Sequence, residues 1–211
     1  MKKTIVLMGR LDSKGREYVY IKERILSGGF DVIVVDTGTR GSPQFQPDIS
    51  REDVAKAAGV AIQNVVDRTD ESKEIQVMMA GASLIARRLL DSGKLDGIMC
   101  LGGSRGTAIG TAAMRALPFG IPKVMVSTVA SGDVRPYVGT RDITIIHSVT
   151  DIMGLNRMTK RLLAYAAGAV MGAVTADPGF EVSSKPLIAM SAMGGINRTT
   201  FLAQQILEER G

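Results

Sequence analysis

The chain has 211 residues, 45% of them apolar and 22% charged, with a formal net charge of +5. That is the composition of a globular protein of one substantial domain, or one domain and part of a second; it excludes a disordered chain. No tryptophan and only 4% aromatic residues argue against a stacking platform for single-stranded nucleic acid. Its basic residues form no run of five, so nucleic acid is not an expected partner.

A continuous apolar strand is expected at Thr4–Met8, followed by a loop from Gly9 to Gly15. The next helix carries Tyr18, Ile21 and Ile25 on one face and stops at Gly28-Gly29, the usual glycine stop. Phe30–Val35 reads as a second strand, ending in the polar turn Asp36-Thr37-Gly38-Thr39-Arg40-Gly41. Ser50 and Asp53 have capping-box spacing and predict a helix that restarts after Gly59 and runs to Val66. A longer helix is expected over Glu71–Asp91.

Gly97–Leu101 is a third strand. It breaks into Gly102-Gly103-Ser104-Arg105-Gly106-Thr107 and resumes with helical patterning as far as Pro118. Strand, glycine loop and helix start together form an anion site: no Cβ blocks the approach, and the first helical N–H groups point at the ligand. Ser104 and Thr107 add hydroxyls, and Arg105 adds a charge that reaches phosphate. A tight turn that binds nothing is the competing reading of this loop in isolation.

Lys123–Val126 is the fourth strand, ending in Ser127-Thr128-Val129-Ala130-Ser131-Gly132-Asp133. Val134–Arg141 reads as loop and Asp142–Ser148 as a fifth strand. An Ala/Gly-rich helix is expected over Arg157–Thr175. Its uncharged stretch from Leu162 spans about 22 Å, short of the roughly 30 Å hydrocarbon core, so no membrane association is expected. The breaker Asp177-Pro178-Gly179 precedes a strand at Pro186–Ser191 and a helix at Arg198–Glu209. This divides the chain into an α/β domain over 1–180 and the first strand and helix of an incomplete second domain over 181–211.

Alternating strands and helices define an α/β class, a Rossmann-like three-layer αβα fold with a mainly parallel sheet. Right-handed crossovers place the polar turns after Met8, Val35, Leu101, Val126 and Ser148 on one edge, where such sheets bind ligands. The GxGxxG and GxxxxGK[ST] fingerprints are absent. The expected ligand is a nucleotide or another phosphate-bearing small molecule, with Lys14 and Arg105 as neutralising charges. Asp12, Asp36, Asp133 and Asp151 are candidates for Mg²⁺, directly or through water, against the more common role of a turn-forming or capping Asp. The single cysteine, Cys100, reads as a core residue, and the single histidine, His147, as a core or rim residue rather than a base. The N-terminus lacks a secretory signal, and a cytoplasmic location is expected.

Six motifs occur in order: Asp12-Ser13-Lys14-Gly15-x-Glu17, Gly102-Gly103-Ser104-x-Gly106-Thr107, Leu117-Pro118-x-Gly120-x-Pro122-Lys123, Ser127-Thr128-x-Ala130-Ser131-Gly132-Asp133, Tyr137-Val138-Gly139 and Asp151-Ile152-x-Gly154-Leu155-Asn156. Together they resemble the Tm-one-like ATP-binding family, which includes plant tobamovirus-resistance proteins. The resemblance implies ATP binding and a homodimer, without specifying a reaction. The cofactor site then comprises Asp12, Ser13, Lys14, Gly38, Gly102, Gly103, Ser104, Gly106, Thr107, Ser127, Thr128, Ser131 and Gly132. The family loop carries glycine where this chain has Arg105, and family members are about twice as long. Such parts suit phosphoryl or adenylyl transfer by positioning and charge stabilisation. The alternatives are a non-catalytic interaction or regulatory module with a structural nucleotide, and a sugar-phosphate or acyl-phosphate enzyme.

Overall fold

The computed structural model describes residues 2–66, 71–177 and 188–210. The chain divides into two compact units, Met1–Ala176 and Asp177–Gly211.

The first unit is built on five strands: β1 (Thr4–Gly9), β2 (Asp31–Asp36), β3 (Gly97–Gly102), β4 (Lys123–Ser127) and β5 (Thr144–His147). They pair in the order β2-β1-β3-β4-β5, every pairing parallel. The order reverses between β1 and β3, the switch point at which doubly wound sheets open a ligand crevice. The helices are α1 (Leu11–Ser27), α2 (Arg51–Ala57), α3 (Gln63–Val66), α4 (Glu71–Asp91), α5 (Ser104–Ala116), α6 (Arg135–Val138) and α7 (Arg157–Thr175).

Alternation along the strands sends side chains to two cores. Val6, Met8, Ile98 and Cys100 pack with α2, α4 and α5 through residues such as Val54, Met78, Ile85 and Ile109. Ile5, Leu7, Met99 and Leu101 pack with α1 and α7 through Ile21, Ile25, Leu163 and Val170. The result is the three-layer α/β architecture expected from the alternation, with an all-parallel sheet. Helix α7 shows how its sequence does this. Leu163, Ala166, Ala167 and Val170 are buried at helical spacing, and the two alanines let the helix lie close to the sheet. Full burial of Leu163 and Val170 stabilises the fold by about 1.5–3 kcal/mol each. The exposed edge of β2 is covered by Asp48-Ile49: Val34 N–H donates to the Asp48 carboxylate at 2.8 Å, and Asp36 N–H to Ile49 O at 2.9 Å.

Three expectations need correction. The Gly9–Gly15 loop does not exist as such: α1 starts at Leu11, with one non-helical residue, Lys14, at φ −128° and ψ 22°. The reason is tertiary. Asp36, at the end of β2, accepts the Leu11 N–H at 3.0 Å and so caps the helix from another strand. Second, Val134–Arg141 is not all loop, because Arg135–Val138 closes one helical turn with Pro136 in its first turn. Third, the described part of the strand expected over Pro186–Ser191 is not strand. Pro186 and Leu187 lie outside the described residues, and residues 188–191 are irregular. Of the Asp177-Pro178-Gly179 breaker, Pro178 and Gly179 also lie outside the described residues. In the second unit a short 3₁₀ turn (Gly194–Ile196) leads into α8 (Asn197–Arg210). Among the described residues no helix is long and apolar enough to cross a membrane.

Candidate functional site

The β3–α5 turn sits beside the switch point. Two glycines make its tight geometry possible. A Cβ on Gly102 would stand 2.9 Å from Gly106 Cα, and one on Gly106 would stand 3.2 Å from Leu101 O. The helix therefore starts directly over the strand end because Gly102 has no side chain, and the absence of one at Gly106 spares a tight contact. Gly103 is the N-cap residue and offers no side-chain cap to the first turn, whereas α2 and α7 begin with complete capping boxes. The first N–H groups of α5 thus lack the side-chain acceptor that a capped helix has.

A cavity of about 180 Å³ opens at this turn, lined by Leu101–Gly106 together with Arg10, Ser13 and Lys14. Three cationic side chains, Arg10, Lys14 and Arg105, face it. Arg10 was not singled out in the sequence. It follows β1 directly, the same place relative to its strand that Gly103 holds after β3, and that equivalence was its only sequence signal.

Each cation already has partners. Arg10 Nη2 donates to Asp12 Oδ2 at 3.1 Å, while its Nε is buried without an acceptor. Lys14 Nζ donates to Ile152 O and stands 4.0 Å from the Asp151 carboxylate. Arg105 pairs with Glu71, and its Nη1 is 3.9 Å from Glu74 Oε1.

Asp12 Oδ2 also accepts the N–H groups of Thr39 and Arg40, at 3.0 and 2.9 Å. Burial works to raise its pKa, but the Arg40 N–H and the Arg10 guanidinium outweigh it and hold the carboxyl below its ordinary value. Asp36 Oδ1 accepts from Leu11 and Gly38. Burial, aided by the nearby Asp12 charge, raises its pKa despite those two bonds. Asp12, Asp36 and Gly38 therefore meet at the exit of β1 and β2, where the two carboxylates tie down the protein's own loop.

The other expected site residues divide by depth. Gly102, Gly103, Ser104 and Gly106 join Ser13 and Lys14 on the cavity wall. Thr107 and Ser127 lie behind it. Both are buried, with their hydroxyl oxygens 2.8 Å apart, and Ser127 Oγ also accepts the Val129 N–H. They staple the loop to the end of β4. Thr128 N–H donates to Gly102 O at 3.2 Å, which extends that staple. Ser131 and Gly132 are exposed on the turn beyond and do not line the cavity. Both Asp133 oxygens are engaged by Arg135. Among the described residues, no group of three or more His, Cys, Asp or Glu side chains is placed to hold a metal ion. Cys100 is buried, and burial pushes its thiol up to about 12. His147 ends β5 on the exposed rim.

The fold and this cavity define a class: doubly wound parallel α/β domains with a polar, glycine-lined crevice at the strand C-terminal edge. The chain belongs to an uncharacterised protein family, UPF0261, matching its N-terminal domain over residues 3–178. It is 42% identical over its whole length to a UPF0261 protein of Clostridium tetani, covering 52% of that relative. It is 41% identical over 192 residues to one from Rhizobium meliloti, covering 91% of this chain and 47% of the relative. The chain thus spans about half the length of these relatives. Similarity to the ToMV resistance protein Tm-1(GCR237) of Solanum lycopersicum reaches 48% identity over 84 residues, 40% of this chain and 11% of that protein. The resemblance noted in the sequence is therefore borne out in part, by a UPF0261 domain and a match to a stretch of the tomato protein.

Proposed function

We propose that this domain binds a phosphate-bearing small molecule at the β3–α5 turn, with ATP the first candidate. The observation that carries the reading is the convergence of Arg10, Lys14 and Arg105 with the side-chain-free N-cap of α5 on one cavity. A helix N-terminus and several cations favour the same sign of charge, and Arg offers paired donors to phosphate oxygens. Size sharpens the assignment. About 180 Å³ is below the roughly 300 Å³ at which pockets begin to enclose a drug-sized ligand. The enclosed part of the ligand is then its phosphate chain, and a nucleoside would lie over the open edge. ATP in particular rests on the family resemblance of the motifs, and the same reading includes a homodimer in the cytoplasm. Phosphoryl or adenylyl transfer to an acceptor hydroxyl or water is the chemistry such a site suits, since the protein then supplies positioning and charge stabilisation rather than a nucleophilic side chain.

Calorimetric titration with ATP, ADP, tripolyphosphate and inorganic phosphate, with and without Mg²⁺, tests this reading. Binding that is weakened at least tenfold by Lys14→Ala or Arg105→Ala supports it. Absence of heat with all four anions overturns it. A hydrolysis assay on the same samples separates an enzyme from a binding module, and sedimentation analysis tests the dimer.

A further inference from the structure

The three cations facing the cavity are not held alike. Arg10 is paired with Asp12, whose side chain is 3% exposed and which also accepts two backbone N–H groups. Removing that carboxylate from Arg10 would unfasten the loop after β2. Lys14 rests mainly on a backbone carbonyl, which carries no net charge to displace.

Arg105 differs. Its nearest acceptor is Glu71, the first residue of α4, whose side chain is 57% exposed. Behind that pair lies a fixed acceptor, Glu74. It is buried, accepts the Thr39 hydroxyl, and stands 3.5 Å from Arg40. Arg40 also donates to Glu71 at 2.8 Å. The network is balanced at two cations and two anions, and Glu71 is its exposed corner. Exposed pairs of this kind are weak and screened by salt, while pairs anchored in the interior resist disruption. A phosphate oxygen entering the cavity meets a guanidinium already covered by a carboxylate, and the two compete for the same donors.

We propose that Glu71 is the resting counter-ion of Arg105 and sets the affinity of the cavity: ligand phosphate replaces the Glu71 carboxylate on the guanidinium, while Glu74 and Arg40 stay in place. This rests on the phosphate reading above. It assigns an affinity-determining role to a residue 34 positions before Arg105 that does not line the cavity. Glu71 neutralises Arg105 when no ligand is present.

The test uses the full chain, with tripolyphosphate and inorganic phosphate as probes. Glu71→Gln and, as a second variant, Glu71→Ala bind tripolyphosphate about two- to fivefold tighter than the parent, the range that loss of one exposed competing pair allows. Glu71→Asp, which keeps the charge, stays near the parent value. In an Arg105→Ala background the gain disappears, because the competition has no object. Circular dichroism confirms that each variant is folded. Equal or weaker binding by both neutral variants overturns the inference, and so does a gain that persists without Arg105. The two readings fail differently. If the parent and all variants leave both probes unbound, the phosphate site itself is wrong. If the parent binds but neutralising Glu71 brings no gain, the site stands and only the counter-ion role falls.

Discussion

The hydroxyl of Tyr18 stands where a side chain at Gly9 would be: a Cβ on Gly9 would lie 1.8 Å from Tyr18 Oη. From that position the hydroxyl donates to Met8 O at 2.7 Å and accepts the Leu101 N–H at 3.0 Å. It thereby bridges the ends of β1 and β3 just past their last ladder pair, Met8 and Cys100. Tyr18 wedges the two strands at the switch point, immediately beneath the cavity wall at Leu101. Gly9→Ala forces that ring to move, and a stability loss of about 2–3 kcal/mol is expected from overpacking. Tyr18→Phe keeps the volume but strands two buried backbone groups, with a loss of about 1–3 kcal/mol. Urea denaturation measures both, and an unchanged midpoint in either variant would refute the wedge.

A pair of glycine substitutions separates the turn from ordinary helix chemistry. Gly102→Ala places a Cβ 2.9 Å from Gly106 Cα, so α5 must lift away from β3. Tripolyphosphate affinity should fall at least tenfold, about 1.4 kcal/mol. Gly168, within α7, has nothing within 4 Å of its Cβ position. Gly168→Ala should leave binding unchanged and stabilise the helix by up to about 1 kcal/mol. Equal binding by the two variants, read by calorimetry, would show that the turn does not hold the ligand.

Lys123 is fully buried, and its ammonium donates to Pro118 O, Ile121 O and Asp142 Oδ1, each at 2.8 Å. Burial works to raise the Asp142 pKa, but the Lys123 ammonium and the Gly120 N–H lower it below its ordinary value. The carboxylate therefore contributes stability above its unfolded value of about 4, and that contribution is lost as pH falls through the lower folded value. Asp142→Asn leaves a buried ammonium with neutral partners only and should cost about 3 kcal/mol near neutrality. The gap from the parent should close on acidification. Chemical denaturation at pH 7 and pH 3 checks both, and a gap independent of pH would refute the electrostatic origin.

The Cys100 thiol, buried and raised to about 12, has almost no thiolate near neutral pH. It should resist iodoacetamide in the folded protein and react promptly in denaturant. Rapid labelling under native conditions, followed by mass spectrometry, would show that β3 opens locally.

Much of the fold was legible in the sequence because it is written in local periodicity. The α4 and α7 boundaries matched at Glu71–Asp91 and Arg157–Thr175, where long apolar stripes end in clear stop signals. The Ser50–Asp53 capping box is present with both of its bonds. The start of α1 was not legible. Its cap, Asp36, lies 25 residues away on another strand, and no local pattern carries such a partnership. Residues 188–191, read as part of a strand over Pro186–Ser191, are irregular, and their local apolar pattern was not enough to show it. An apolar run forms a strand only where a neighbouring edge accepts its hydrogen bonds.

The order of residues alone determined that strands and helices alternate, that the strand exits share one edge, and that a glycine turn follows β3. Each of these follows from side-chain periodicity and from the handedness of the chain. Only the folded arrangement decided which exit residues line the cavity and which hold the protein together. It brought Arg10, Lys14 and Arg105 to one cavity, placed Thr107 and Ser127 behind it, and set Glu71 against Arg105. A hydroxyl or carboxylate has the same identity in either role. What separates the roles is whether another part of the chain already satisfies it, and that is a property of the packed molecule.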